Sequence, residues 1–253
     1  MRTAALALIL SSFLAILSGC VTYVENMRAA PSFTYASVAA DGMAVGGVTS
    51  SFTNLDARRG AEYSNLLYHS FIEERKDIYV LGQPVTEGMT GPHLLRQALD
   101  SFRAKGFVES ATLWDIRQRL TGARFLIVAS FAGDDTRRNR DLTIDKTKDK
   151  NDKNKEIEVR KARYNVHRSV TVDMAIYDLA LGTEAWGGRV TKSHTNTKEY
   201  SHTAYNGYFP AFGPLADYEF SHGVNYYPDS PRLDDLLRRA FAGFAENMPA
   251  EKK

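Results

Sequence analysis

The chain has 253 residues, 43% hydrophobic and 11% aromatic, with a formal charge of +2. Such a composition supports a folded core and excludes wholesale disorder. The near-neutral balance gives no general attraction to nucleic acid. Cys20 is the only cysteine, so a disulfide within the chain and a multi-cysteine metal site are excluded.

Arg2 places a positive charge ahead of an apolar run, Ala4 to Leu17, interrupted only by Ser11 and Ser12. The run is shorter than the roughly 20 residues a membrane-spanning helix needs, and its flanks are those of a secretory signal. It ends in Leu17-Ser18-Gly19-Cys20. Small residues before the cysteine suit a peptidase cleft, and the thiol is the nucleophile that accepts a lipid. This segment resembles the lipobox of bacterial lipoproteins. The resemblance implies cleavage after residue 19, a diacylglyceryl thioether on Cys20 and an acylated amino terminus. Several acyl chains, at about 0.8 kcal/mol per buried CH₂, make such anchoring durable. Val21, in place of an aspartate, points by the family's sorting rule to the outer membrane, with the protein facing the periplasm.

Residues 20–41 read as the lipidated cysteine and a short tether, rich in small residues and carrying Pro31. Fully extended, it would reach roughly 70 Å. Residues 42–248 read as one periplasmic domain. Met43 to Ser50 predicts a buried strand whose Gly46 and Gly47 mark a bulge or close approach. Tyr63, Leu66, Leu67, Ser70 and Phe71 predict a helix over Ala61 to Lys76, and Asp77 to Leu81 a short strand. Leu94, Leu95, Ala98, Leu99 and Phe102 predict a second helix capped by Gly106. Leu113, Ile116 and Leu120 predict a third, stopped by Gly122. Phe125 to Phe131 is nearly all apolar, as in a strand buried on both faces.

Asp134 to Arg163 is dominated by Lys, Arg, Asp and Asn. With almost nothing to bury, it reads as the mobile charged end of a long hairpin. From Val166 to Tyr177 apolar and polar residues alternate, with Arg168 the one polar residue on the apolar side. The pattern predicts a half-buried antiparallel strand, which Leu181-Gly182-Thr183 turns into a partner, Glu184 to His194. Leu233, Leu236, Leu237, Ala240, Phe241 and Phe244 form the stripe of a closing helix, with Pro231 near its start. The expected fold is α+β: a mixed, largely antiparallel sheet with helices packed on it.

Residues 200–230 form a second long segment, dense in Tyr and Phe among Gly and Pro. A connection of this length is usually functional or disordered, and its aromatic content argues against disorder. Tyr208, Phe209, Phe212, Tyr226 and Tyr227 are the candidate partner-binding residues, because aromatic rings bury much area at little entropic cost. The same rings could instead fold back on their own sheet as a satellite core.

No catalytic constellation stands out. The six histidines lack the i, i+4 spacing of a helical zinc motif, and there is no Gly-x-Ser-x-Gly elbow. Asp134-Asp135 is a paired carboxylate at the start of the charged segment, where solvation is the simpler use. No catalytic residue, metal ligand or cofactor is assigned.

Three phrases together carry a wider likeness. They are Met43-Ala44-Val45-Gly46-Gly47-Val48-Thr49, Ala123-Arg124-Phe125-Leu126-Ile127-Val128, and Val172-Asp173-Met174-Ala175-Ile176-Tyr177-Asp178-Leu179. Over roughly residues 40 to 248 the chain resembles the periplasmic domains of the curli secretion-channel lipoprotein, of the lipoprotein activator of penicillin-binding proteins, and of the amino-terminal domain of the Tol propeller protein. The functions of those groups differ, and the sequence as a whole reads as a non-enzymatic module that binds an envelope protein or its own copies. The alternatives are a subunit of an oligomeric secretion pore of the curli-channel type and, more weakly, an envelope hydrolase.

Overall fold

The computed structural model describes residues 22–148, 156–204 and 226–251. The signal segment and Cys20 lie outside them. In chain order the elements are β1 (Glu25–Ala29), α1 (Tyr35–Asp41), β2 (Met43–Ser50), α2 (Ala57–Glu74), β3 (Val80–Leu81), α3 (Gln83–Thr90), α4 (Pro92–Lys105), α5 (Ser110–Arg119), β4 (Phe125–Lys148), β5 (Glu156–Asp178), β6 (Thr183–Ala204) and α6 (Leu233–Glu246). The strands make one six-stranded sheet in the order β1-β6-β5-β4-β2-β3. β2 runs parallel to both β3 and β4, whereas β1 runs antiparallel to β6. Along β4 and β5, Asp145 meets Lys161 and Asp141 meets Asn165, an advance in opposite directions that marks an antiparallel pair. The fold is the expected α+β, with a mixed sheet.

Two compact units share these strands. One takes the chain up to Ala132, Thr171–Val190 and everything from Leu237; the other takes residues 133–170 and 191–236. The sequence offers one domain over 42–248 because no linker marks a boundary: β4, β5 and β6 each contribute to both units.

In the first unit the core follows from strand alternation. Leu126 and Val128 of β4 and Ala175, Tyr177 and Leu179 near the end of β5 meet Leu94, Leu95, Ala98 and Phe102 of α4 and Leu113 and Ile116 of α5. The intervening Phe125, Ile127 and Phe131 are buried as well and, by the two-residue period of a strand, occupy the opposite face. Phe125 meets Phe33 edge to face there, ring centres 5.3 Å apart. Trp186 of β6 meets Phe244 of α6 in the same way at 5.9 Å. The glycine pair of β2 forms the expected bulge: the register with β4 shifts between Val45 and Gly47. Gly47 has φ 137°, and a Cβ there would lie 3.1 Å from Leu99 Cδ1. Gly106 closes α4 in the left-handed conformation, with its N–H donated to the Phe102 carbonyl.

Three elements escape the sequence patterns. α3 exposes Val85 and Met89 and buries Thr86 and Thr90, whose hydroxyls donate to the carbonyls one turn back. Its core stripe is made of threonine, so an apolar period does not reveal it. β1 and α1 replace the expected tether. β1 is an edge strand exposed along its whole length, so no alternation announces it. α1 is short, with Val38 as its buried residue, and is capped by Thr34 and Ser37. The chain from Thr22 is therefore structured, and the 70 Å reach does not exist over the described residues.

The charged segment, expected as the mobile end of a long hairpin, is strand where it is described, and residues 149–155 at its middle lie outside the described residues. Residues 134–148 and 156–163 are strand, the outer parts of β4 and β5. Ladder hydrogen bonds satisfy the backbone of a strand without deep burial, and cross-strand pairs of opposite charge stabilise it modestly. Lys161 to Asp145 is one such pair, at 2.6 Å.

At the start of β4, Arg124 joins three pieces of chain. Its Nε donates to Asp178 Oδ1 at 2.9 Å and its Nη1 to Asp41 Oδ2 at 3.0 Å. Asp178 is 1% exposed and also accepts from the N–H groups of Ala180 and Leu181. Burial opposes its ionisation, but Arg124 and those two N–H groups outweigh it and hold the carboxyl below the usual aspartate range. The folded-state pKa is thus below the unfolded one. The contribution is present above the unfolded value of about 3.9 and lost as pH falls through the folded value. Asp178→Ala should cost about 3 kcal/mol near neutral pH, since it removes one partner of a buried pair. The deficit relative to wild type should shrink as thermal melts are taken progressively below about pH 4.

Candidate functional site

The second unit holds the described part of the aromatic segment. Here β5 alternates between two faces. Ala162, Tyr164 and Val166 are fully buried on one, while Arg163, Asn165 and His167 line a polar groove on the other. The alternation Lys161-Ala162-Arg163-Tyr164-Asn165-Val166 is legible in the sequence, but the charged residues on its outer face hide it.

Tyr164 is the centre of the buried face. Its ring meets Tyr200 of β6 edge to face at 5.7 Å, stacks on Tyr226 at 5.7 Å and meets Tyr227 edge to face at 5.1 Å. Tyr200 and Tyr226 make a further perpendicular contact at 5.0 Å. Offset and edge-to-face geometries suit the aromatic quadrupole and are worth about 0.5–1.5 kcal/mol per pair beyond area burial. The Arg138 guanidinium lies 5.7 Å from the Tyr227 ring centre, and Lys198 Nζ lies 5.2 Å from that of Tyr200.

The segment carrying Tyr226 and Tyr227 is tied down just beyond them. Arg168, the polar exception on the apolar side of β5, donates Nε to Asp134 Oδ1 at 2.7 Å and Nη1 to the Pro231 carbonyl at 3.0 Å. Asn196 Nδ2 donates to the Asp229 carbonyl at 2.8 Å. Arg168 therefore works as a clamp, and its place in the apolar pattern is explained by the acidic partner on β4. Asp134 and Asp135 do not act as a pair: Asp134 is held by Arg168 and Asp135 by Arg137, the latter at 2.6 Å.

The polar face is a groove of about 650 Å³. Arg163 Nε donates to Glu199 Oε1 at 2.7 Å, Asn165 Nδ2 to Asp141 Oδ2 at 3.0 Å, and Thr197 Oγ1 to Asn165 Oδ1 at 2.8 Å. His167 Nδ1 and Thr195 Oγ1 share a hydrogen bond of 2.9 Å. These groups satisfy one another across three strands, which favours a stable polar wall. Among the described residues there is no group of three or more His, Cys, Asp or Glu side chains placed to hold a metal ion.

Of the five candidate partner-binding residues, Tyr226 and Tyr227 are half-buried against Tyr164. Tyr208, Phe209 and Phe212, like Cys20, lie outside the described residues. The residues not singled out from sequence are Tyr164, Tyr200, Arg138 and Lys198. The signal for Tyr164 was its place on the apolar side of the β5 alternation.

Tyr164→Ala should lower stability by about 3–5 kcal/mol, the range for removing a large buried ring. Tyr227→Ala, at a half-buried position, should cost well under half of that. Chemical denaturation of the two variants compares them directly; equal losses would mean that Tyr227 is as much core as Tyr164.

No family model matches the chain, and no curated protein matches it. Among solved structures it has loose likenesses. A PelC dodecamer from Paraburkholderia phytofirmans shares 9% identity at a TM-score of 0.36, over 90% of this chain and 97% of that one. A point variant of the same protein, also a dodecamer, shares 7% at 0.36 over the same spans. Lipoprotein GNA1162 from Neisseria meningitidis shares 11% at 0.32, over 61% of this chain and 83% of that one.

Proposed function

We propose that this protein is a lipid-anchored, periplasm-facing lipoprotein of the outer membrane that serves as a non-enzymatic binding or assembly module, for another envelope protein or for its own copies. The observation that carries the reading is Leu17-Ser18-Gly19-Cys20 at the end of a short apolar run behind Arg2. No helix among the described residues is long and apolar enough to cross a membrane, so the lipid is the membrane attachment in this reading. The aromatic segment 200–230 supplies the contact surface. Tyr226 and Tyr227 present rings already ordered by Tyr164 and by the Arg168 clamp, which lowers the entropic cost of engaging a partner.

The pore alternative has one observation in its favour: β4 and β5 run for 24 and 23 residues, longer than the roughly 9–11 that cross a bilayer. Against it, the outer part of β4 shows only Leu142 and Ile144 as exposed large apolar residues, whereas a lipid-facing strand alternates apolar residues over its whole crossing.

Cys20→Ser should release the protein from the outer-membrane fraction, and intact mass of the wild-type mature chain should show an acylated Cys20 as its first residue. Wild-type protein with an unmodified Cys20 in the soluble fraction would sink the reading. For the contact surface, Phe209→Ala and Tyr227→Ala should each weaken crosslinking to the partner in intact cells, by about 2 kcal/mol if the ring is an anchor. A fall in melting temperature with no specific loss of crosslinking would retire the site.

A further inference from the structure

Thr22 is the first described residue, and it is already part of the fold. It is buried, and its carbonyl accepts from Asn247 Nδ2 at 2.9 Å at the end of α6. The approach is close: a Cβ added at Gly243 would collide with Thr22 Cγ2. Val24 is buried too, and Glu25 enters the sheet opposite Arg189. Cys20 stands two residues before Thr22, and two residues of extended chain span at most about 7 Å. If the lipid sits on Cys20, the first unit is held against its membrane with almost no slack.

The chain at this point has an unusual surface. Between the pairs Glu25–Arg189 and Arg28–Gly187, β1 contains one more residue than β6, which makes a bulge. Asn26 sits in it at φ 51°, the one non-glycine residue with positive φ among those described. Asparagine tolerates this left-handed conformation better than most side chains. A bulge re-aims the side chains beside it. Tyr23 is 78% exposed and Met27 55%, two large side chains in water within seven residues of the anchor position. Glu25 and Arg28 flank them with charge, and Arg28 is held by Glu184 at 2.8 Å.

We infer that the amino-terminal edge, Tyr23 to Arg28, is a bilayer-seating surface whose occupant is the lipid headgroup layer next to the anchor. The inference rests on the lipidation of Cys20. Tyrosine places its ring at the boundary between acyl chains and headgroups with the hydroxyl toward water, and methionine supplies a flexible apolar side chain. Glu25 and Arg28 remain at headgroup level. The edge strand, whose free backbone groups would otherwise invite pairing with another chain, is thereby turned toward the membrane.

The test uses the full-length lipidated protein. Met27→Cys and Tyr23→Cys each introduce the one free thiol of a mature chain whose Cys20 carries lipid, and each is labelled with an environment-sensitive fluorophore. Val85→Cys is the control, because residue 85 is exposed on α3, the helix that follows β3, and β3 is the strand at the opposite edge of the sheet from β1. The proteins are reconstituted into vesicles of phosphatidylethanolamine with a minor part of phosphatidylglycerol. Labels at 23 and 27 should shift to the blue, gain intensity and become shielded from iodide, while the label at 85 stays water-like and quenchable. If intact mass shows lipid on Cys20 but the labels at 23 and 27 behave like the one at 85, the seating surface is wrong and the lipoprotein reading stands. If intact mass shows no lipid, both fall.

Discussion

The buried carboxylate of Asp178 is the constraint around which the first unit is arranged. It lies at the end of β5, accepts from the turn that leads into β6, and is held by Arg124 at the start of β4, which also reaches Asp41 at the end of α1. Arg124 is part of the same corner through its backbone: its N–H donates to the Asp41 carbonyl and its carbonyl accepts from Leu179. The register of the central strands, the β5–β6 turn and the exit of α1 thus meet at Arg124, its two carboxylate partners and their backbone bonds. A buried carboxylate with a single partner would be costly; this one has its charge matched and its lone pairs occupied, the condition under which such a pair is tolerated.

Along the strands that leave that corner, what covers them changes. Near Arg124 the β4 positions are apolar on both faces and helices supply the covering. Beyond Ala132 the covering is aromatic on one side, where Tyr164 organises Tyr200, Tyr226 and Tyr227, and a mutually satisfied polar wall on the other. A strand needs its backbone ladder, and the choice of face covering is left to the side chains. The same sheet can therefore be a helix-packed core over one stretch and a tyrosine-covered, charge-studded hairpin over another.

The anchor and the fold are closely joined in the proposed function. Folding the chain from Thr22 onward removes the slack that a tether would provide, so a lipid on Cys20 would fix which edge of the sheet lies nearest the membrane. A partner would have to come to this protein at the membrane where it is anchored.

Much of this was legible without coordinates. The apolar run ending in Cys20 is a local chemical signal, and helices with a clear apolar stripe, such as α2, α4 and α6, declare themselves because one face must be buried. The strand 166–177 and the bulge at Gly46-Gly47 follow from a period of two and from the special backbone range of glycine. What failed shares one cause: local composition does not say what a distant segment will provide. β1 has no alternation of its own and exists because β6 offers it a ladder. α3 is buried through threonines that satisfy their own hydroxyls within the helix. The charged residues of 134–148 and 156–163 form strands because the ladder satisfies their backbone and because side chains such as Lys161 and Asp145 find opposite charge across it. Tyr226 and Tyr227 are conspicuous as letters in the sequence, but only the tertiary structure decides that they close on Tyr164, because that contact depends on a clamp between Asp134, Arg168 and Pro231, residues that meet only once the sheet has formed.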